Sequence, residues 1–267
     1  MYRVGLVGVG NMGRAMVNAW IDSGAFKSDE ITVIDRDLEK VVQAEKEFGV
    51  VPGTGIAVVA SHSEIVVLAV KPQDSVDAIA EIKGNVGPSQ ILLSIAAGLT
   101  LKSMREQVGD GPSIVRVMPN MGAMVRAAAS AYAVDPGTAG LKKYVVSTLL
   151  SAIGEVVEVD EDRMNLVTAL SGSGPAYFFY LTEALENAAI EFGMPDEVAR
   201  LLARETLWGA ARTVKETGRE PGELRRAVSS PGGTTLAALE EMDSSGFMDM
   251  MARAVEAATR RAGELAR

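Results

Sequence analysis

The first half of the chain alternates short, almost wholly apolar β-branched runs with longer stretches whose apolar residues recur at helical spacing. Runs at residues 4–9, 31–34, 64–70, 90–95 and 113–117 predict strands, and segments such as 38–48 between them predict helices. Strands that are apolar nearly throughout fit a parallel sheet covered on both faces, so this half reads as α/β and doubly wound. Two further strand patterns, 130–134 and 155–159, flank a helix from about 138 to 151. After residue 159 the strand signal stops, and the remainder predicts helices at about 161–170, 175–192, 196–217, 221–228, 234–244 and 247–265. The expected division is therefore 1–159 for the α/β part and 160–267 for an all-α part, with the boundary near Asp160. Neither a fixed-period repeat nor a low-complexity tract interrupts the pattern.

Around residues 201–214 and 247–255 the apolar positions spread over much of the helix circumference. Such helices are buried on more than one side. Roughly a hundred residues of helix make a thin core by themselves, so the pattern predicts self-association through this half, most simply a homodimer.

Composition narrows the chemistry. The 267 residues suit about two domains. With 26 basic and 35 acidic residues the net charge is −9, the wrong sign for broad contact with nucleic-acid phosphates or anionic lipid. There is no cysteine, hence no disulfide and no thiolate chemistry, and the one histidine, His62, rules out the usual zinc spacings and reads as a surface residue. A strand pattern beginning by Arg3 leaves no room for a signal peptide. The longest apolar region, 56–70, is broken by Ser61, His62, Ser63 and Glu64 and is too short to span a bilayer. The expectation is a soluble cytoplasmic protein with neither nucleic acid nor membrane as partner.

The opening strand runs into Gly8-Val9-Gly10-Asn11-Met12-Gly13, and a helical pattern follows. Asp35 closes the next strand at the roughly 20-residue spacing of a dinucleotide-binding, Rossmann-type fingerprint. Gly8 would allow the tight turn and Gly10 the approach of a pyrophosphate. Gly13 would allow close helix packing, with the phosphates at the helix N-terminus beside Asn11 and Met12. Asp35 favours ribose hydroxyls and so NAD, whereas the adjacent Arg36 could pair with a 2′-phosphate and favour NADP, leaving the choice between NADH and NADPH open. Ala69, Val70, Lys71 and Pro72 end a strand at the carboxyl edge of the sheet, where ligands of such folds bind.

A nicotinamide needs a hydride partner. An alcohol dehydrogenase requires a base to take the hydroxyl proton. No histidine follows His62 and no lysine lies between Lys143 and Lys215, so the start of the helical half has no such base of either type. A cyclic imine, whose nitrogen is protonated near neutral pH, would suit this chain better. Residues 229–235, Ser-Ser-Pro-Gly-Gly-Thr-Thr, gather small hydroxyl and glycine residues immediately before a helix, and a helix N-terminus offers unpaired amides to an anion.

Five segments together resemble the pyrroline-5-carboxylate reductase family along essentially the whole chain. They are GLVGVGNMG (5–13), LAVKPQ (68–73), RVMPN (116–120), ALSGSGPAY (169–177) and SSPGGTT (229–235). The resemblance implies a Rossmann half followed by an all-α dimerisation domain, and reduction of 1-pyrroline-5-carboxylate to proline by NADPH or NADH. It further implies a homodimer, with rings of dimers occurring in the family. It places the substrate carboxylate on Ser229, Ser230, Gly232, Gly233, Thr234 and Thr235. Thr235 is the implied catalytic contact to the ring nitrogen, and Asn120 joins the implied cofactor contacts. The chain has Met121-Gly122-Ala123 where the family usually has Thr-Pro-Ala.

Two other readings differ in what they require. A reductase of a related imine acid, such as the six-membered analogue, would use the same residues. A non-catalytic dinucleotide-sensing dimer would need the glycine motif but no carboxylate loop. The related hydroxy acid dehydrogenases place a lysine on the helix after the Ser-Gly segment, and residues 178–192 contain none.

Overall fold

In the computed structural model, which describes residues 1–266, the chain runs β1 (Tyr2–Val7), α1 (Asn11–Asp22), β2 (Ile31–Ile34), α2 (Leu38–Phe48), β3 (Val51–Pro52), α3 (Ile56–Ser61), β4 (Ser63–Leu68), α4 (Ser75–Ile82), β5 (Ile91–Ser94), α5 (Leu101–Val108) and β6 (Ser113–Met118). It continues with β7 (Ala128–Val134), α6 (Gly140–Ser151), β8 (Gly154–Glu158) and α7 (Met164–Val167), which passes into a π-helical turn, Thr168–Gly172. Then come α8 (Gly174–Glu191), α9 (Asp196–Thr217), α10 (Pro221–Ala227), α11 (Thr234–Ser244) and α12 (Phe247–Leu265).

The eight strands form one sheet in the order β3-β2-β1-β4-β5-β6-β7-β8. Pairing is parallel from β3 to β6, as the apolar runs predict, and antiparallel only between β6 and β7. The reversal follows from chain length. Only a short loop containing the 3₁₀ turn Met121–Val125 joins β6 to β7, too little for a right-handed crossover to a parallel neighbour. β3 has no apolar run of its own and pairs through Thr32↔Val51 and Val33↔Pro52.

The sheet buries both faces, and the strand period of two divides adjacent residues between them. Leu6, Val67 and Leu93 belong to the cluster that includes Trp20 of α1 and Leu149 of α6. Their neighbours Val7, Val66 and Leu92 belong to the opposite cluster with Ile79 of α4 and Met104 of α5. Trp20 also donates its indole N–H to the Leu149 carbonyl at 2.9 Å, satisfying its one polar atom in the core. Asp37 caps α2 by accepting from the Glu39 amide, and Thr100 caps α5 by accepting from the Ser103 amide.

The described chain divides into two units, residues 1–173 with the end of α12 from Ala258 onward, and Gly174–Ala257. Residues 161–173 are tied to the sheet. Glu161 takes an ion pair from the buried Arg116 of β6 at 3.3 Å and accepts from the Leu101 amide at 2.6 Å. Ser171 donates its hydroxyl to the Ala129 carbonyl of β7 at 2.6 Å.

In the second unit α8 packs on α9, with an ion pair from Arg204 to Glu186 at 2.8 Å. Few of its side chains are covered within the chain. Phe178, Phe179, Tyr180, Leu185, Leu201 and Trp208 are all exposed, Trp208 by 62%. Such a face on one chain marks a surface built for covering. Among the described residues no helix is long and apolar enough to cross a membrane.

Candidate active site

The strand order changes direction at β1 and β4, the position where doubly wound sheets bind ligands beyond their strand ends. A cavity of about 520 Å³ opens there in the first unit, lined by Gly8, Gly10, Asp35, Arg36, Val70 and Lys71 among others. The three motif glycines serve separate purposes. Gly8 has φ +103°, and a Cβ there would lie 2.6 Å from the Ala69 carbonyl oxygen. At Gly13 a Cβ would lie 2.3 Å from the Gly8 carbonyl oxygen. At Gly10 it would meet no protein atom within 4 Å. The space over Gly10 is thus left open by the fold, as the approach of a pyrophosphate requires. Gly10 is also the N-cap of α1, with no side-chain cap and no acidic residue in the first turn, so the helix presents bare amides there. These features fit a dinucleotide.

On the adenosine side Asp35 is fixed by two backbone amides, accepting from Val9 N at 2.8 Å and Asp37 N at 3.0 Å. Arg36 is exposed and ion-paired with Asp74 at 2.7 Å, and Lys40 pairs with Asp37 at 3.2 Å.

The structure therefore gathers Gly8, Gly10, Asp35, Arg36, Ala69, Val70 and Lys71 of the expected cofactor residues around the cavity. Asn11, Met12, Gly13, Pro72 and Asn120 do not line it. Met12 packs against the core cluster, leaving its amide at the helix end. Gly13 is a packing glycine, and Pro72 starts a 3₁₀ turn whose carbonyl accepts from Ser75 Oγ at 2.7 Å. Asn120 uses its side chain on the chain itself. Its Oδ1 accepts from the Gly122 and Ala129 amides at 3.1 and 3.3 Å, and its Nδ2 donates to the Ser171 carbonyl at 3.2 Å. Gly122 fits this turn because a Cβ would lie 2.4 Å from the Ala127 carbonyl oxygen.

Gly55 and Ile56 also line the cavity, and the cavity residues that the sequence motifs did not single out include Lys40, Asp74 and Asp77. Lys40 and Asp74 lie just past Asp35 and Lys71 in the chain, but nothing in the sequence shows that they converge. His62 is exposed, beside Ser61 and the Val58 carbonyl, as a surface residue would be.

In the second unit, residues 229–233 lead from α10 into α11. Gly232 takes φ +70°, and the Gly233 amide closes the turn on the Ser230 carbonyl at 2.9 Å. A Cβ at Gly233 would lie 2.5 Å from Ser230 Oγ, so the second glycine keeps that hydroxyl in place. Gly233 is the N-cap of α11, again with no side-chain cap and no acidic residue in the first turn. The first helical bond runs from Ala237 N to the Gly233 carbonyl, so the amides of Thr234, Thr235 and Leu236 stay open. Ser229 differs from its neighbours, because its hydroxyl donates to the Arg225 carbonyl at 2.7 Å and closes α10. Among the described residues the hydroxyls of Ser230, Thr234 and Thr235 make no hydrogen bond. Two cations, Arg225 and Arg226, occupy the last turn of α10 just before the loop. Open amides and free hydroxyls at a helix N-terminus are groups that can hold an anion.

The Ser-Gly segment has another character. Ser173 N bonds the Thr168 carbonyl at 2.8 Å, a π-type turn, and a Cβ at Gly172 would press on Met118 Sδ at 3.2 Å. Its small residues permit close packing on β6.

Two family models match the chain. The model described as pyrroline-5-carboxylate reductase dimerisation covers residues 161–265, and one described as NADP oxidoreductase, coenzyme F420-dependent, covers residues 3–98. A pyrroline-5-carboxylate reductase of Arabidopsis thaliana is 37% identical over 265 residues, which make up 99% of this chain and 95% of that one. The chain belongs to the pyrroline-5-carboxylate reductase family. A solved pyrroline-5-carboxylate reductase from Coxiella burnetii superposes with a TM-score of 0.94 at 34% identity, covering 100% of this chain and 99% of that one. A Plasmodium falciparum pyrroline carboxylate reductase, solved with NADP bound, gives 0.88 at 27% identity, covering 100% and 98%. The family's dimerisation model falls on the helices whose apolar faces this chain leaves uncovered.

Proposed function

We propose that this chain reduces 1-pyrroline-5-carboxylate to L-proline, the closing step of proline synthesis, with NADH or NADPH as hydride donor. The observation that carries the reading is the uncapped N-terminus of α11, with free hydroxyls at Ser230, Thr234 and Thr235, in a chain of this family. Ser230 and the amide of Thr234 hold the substrate carboxylate, beside the Gly233 amide that closes the turn. Thr235 hydrogen-bonds the ring nitrogen as it becomes an amine. Ser229, Gly232 and Gly233 set the shape of the loop.

The cavity at the β1 and β4 ends holds the dinucleotide, with Gly10 and the amides at the start of α1 against the pyrophosphate and Asp35 toward the ribose. When bound, the reduced nicotinamide supplies a hydride to the imine carbon. The chain need supply no strong acid, because the imine nitrogen arrives protonated. Alignment and exclusion of water then carry most of the acceleration. The active form is a homodimer that covers the exposed residues of α8 and α9, and a dimer or a multiple of it is expected by light scattering.

The test is consumption of NADH, and separately of NADPH, by purified protein with 1-pyrroline-5-carboxylate, with proline quantified as product. One proline per cofactor oxidised supports the reading. Turnover confined to the six-membered imine would assign the sister reaction instead. Binding without turnover on either imine would favour a sensor.

A further inference from the structure

We propose that the cavity takes NADH in preference to NADPH, and that Asp74 enforces the choice by holding Arg36 in an ion pair. The inference rests on reading this cavity as the dinucleotide site. The two cofactors differ only in the 2′-phosphate on the adenosine ribose, which carries close to two negative charges near neutral pH.

Asp35 is the first group such a phosphate would meet. Its carboxylate is locked by the Val9 and Asp37 amides at 2.8 and 3.0 Å. Each oxygen keeps a further lone pair for a ribose hydroxyl, and the charge repels a phosphate. Accommodating the phosphate would take a cation with free donors. Arg36 stands next to Asp35, but its guanidinium is bound to Asp74 at 2.7 Å. Lys40 is likewise paired, with Asp37 at 3.2 Å. Lys71, unpaired among the described residues, also lines the cavity, in the turn where its carbonyl accepts from the Asp74 amide at 2.9 Å, so its single charge stands among carboxylates. Asp77 and Glu81 of α4 add negative charge to the same cavity.

Asp74 is therefore a positioning residue that acts through Arg36. It precedes α4 without capping it, since its side chain makes no bond to the helix amides. Its removal changes charge without unfastening the helix. The Arg36 side chain is 72% exposed, so it is free to turn toward a phosphate once released.

The experiment is calorimetric titration of the purified chain with NADH and with NADPH at low salt, which needs no imine substrate. The wild type is expected to bind NADH about tenfold or more tightly. Asp74→Asn is expected to narrow the ratio of the two dissociation constants by about fivefold or more, a gain that added salt erodes. Asp74→Glu should keep the wild-type ratio. In an Arg36→Ala background Asp74→Asn should change the ratio much less, because the pair is already broken. Equal or tighter NADPH binding by the wild type would overturn the proposal, as would an unchanged ratio in Asp74→Asn. Failure of both cofactors to bind would overturn the reading of the cavity itself, and the proposal with it.

Discussion

Gly10 and Gly13 belong to one motif but stand in different surroundings, so alanine at each should fail in a different assay. At Gly13 the added Cβ falls 2.3 Å from the Gly8 carbonyl oxygen, against an ordinary contact of about 3.5 Å. The backbone of the β1–α1 turn must yield by about 1 Å. Overpacking of this kind costs about 1–3 kcal/mol, and a backbone obstacle puts it at or above the upper end. Alanine's better helix propensity returns about 1 kcal/mol. The net destabilisation is about 2 kcal/mol, or a fall in Tm of about 4–8 °C.

At Gly10 the backbone has φ −76° and ψ −171°, which alanine adopts freely, and its Cβ meets no protein atom within 4 Å. The poorer N-cap costs under about 1 kcal/mol, and the stiffer unfolded chain offsets part of that. Tm should move by no more than about 2 °C. Cofactor affinity should fall about tenfold or more, because the methyl takes the space over the helix end. Thermal unfolding of the free proteins and calorimetric titration with NADH separate the two effects. If Gly10→Ala melted well below Gly13→Ala, or bound NADH as the wild type does, this assignment of the glycines would be wrong.

Thr235→Ala removes one donor at the start of α11 and should lower kcat/KM by about ten- to a hundredfold with cofactor affinity unchanged; a loss of cofactor binding would refute the assignment. Arg116→Met breaks a buried tie between β6 and Glu161. Because Glu161 is partly exposed and keeps its bond from the Leu101 amide, the cost in urea denaturation should be about 2–3 kcal/mol rather than the full penalty of a buried pair. Burial, and then the nearby Glu158, raises the Tyr132 hydroxyl above its ordinary pKa. A pKa raised on folding favours the protonated native state. That stabilisation is complete below about pH 10 and lost as pH rises through the folded value, so wild type should lose stability above about pH 10 more steeply than Tyr132→Phe.

The strands of the first half and nearly every helix of the second are legible from periodicity alone, because both reflect which positions are buried. The direction of β7 is not, since no local pattern in residues 128–134 distinguishes parallel from antiparallel. It is set by the short link after β6. The two-residue β3 likewise has too little side-chain pattern to register. At 161–170 helical spacing is visible in the sequence, but the π turn at 168–172 is a matter of one extra residue between bonded groups, to which a spacing argument is blind.

The site divides in the same way. Backbone needs can be read from glycines, which is why Gly8, Gly10, Gly13 and the Gly232–Gly233 turn stand out. Side-chain pairing across the fold cannot. Arg36 and Asp74 are 38 residues apart, and only the adjacency of β1 with β2 and β4 brings them together. Asn120 and Ser229 belong to motif segments, yet the structure shows their side chains bonded to backbone carbonyls and amides.

The proposed reaction is hydride transfer to the imine carbon of a pyrroline carboxylate bound by the α11 N-terminus. It is tested most directly with a reduced nicotinamide cofactor carrying deuterium at its transferable position, turned over with 1-pyrroline-5-carboxylate, the product being examined by mass spectrometry. The expected product is proline with one deuterium on the ring carbon next to nitrogen that was the imine carbon, formed by Thr235→Ala with a kcat/KM about ten- to a hundredfold lower. Proline without label, or no proline although the cofactor binds, would contradict it.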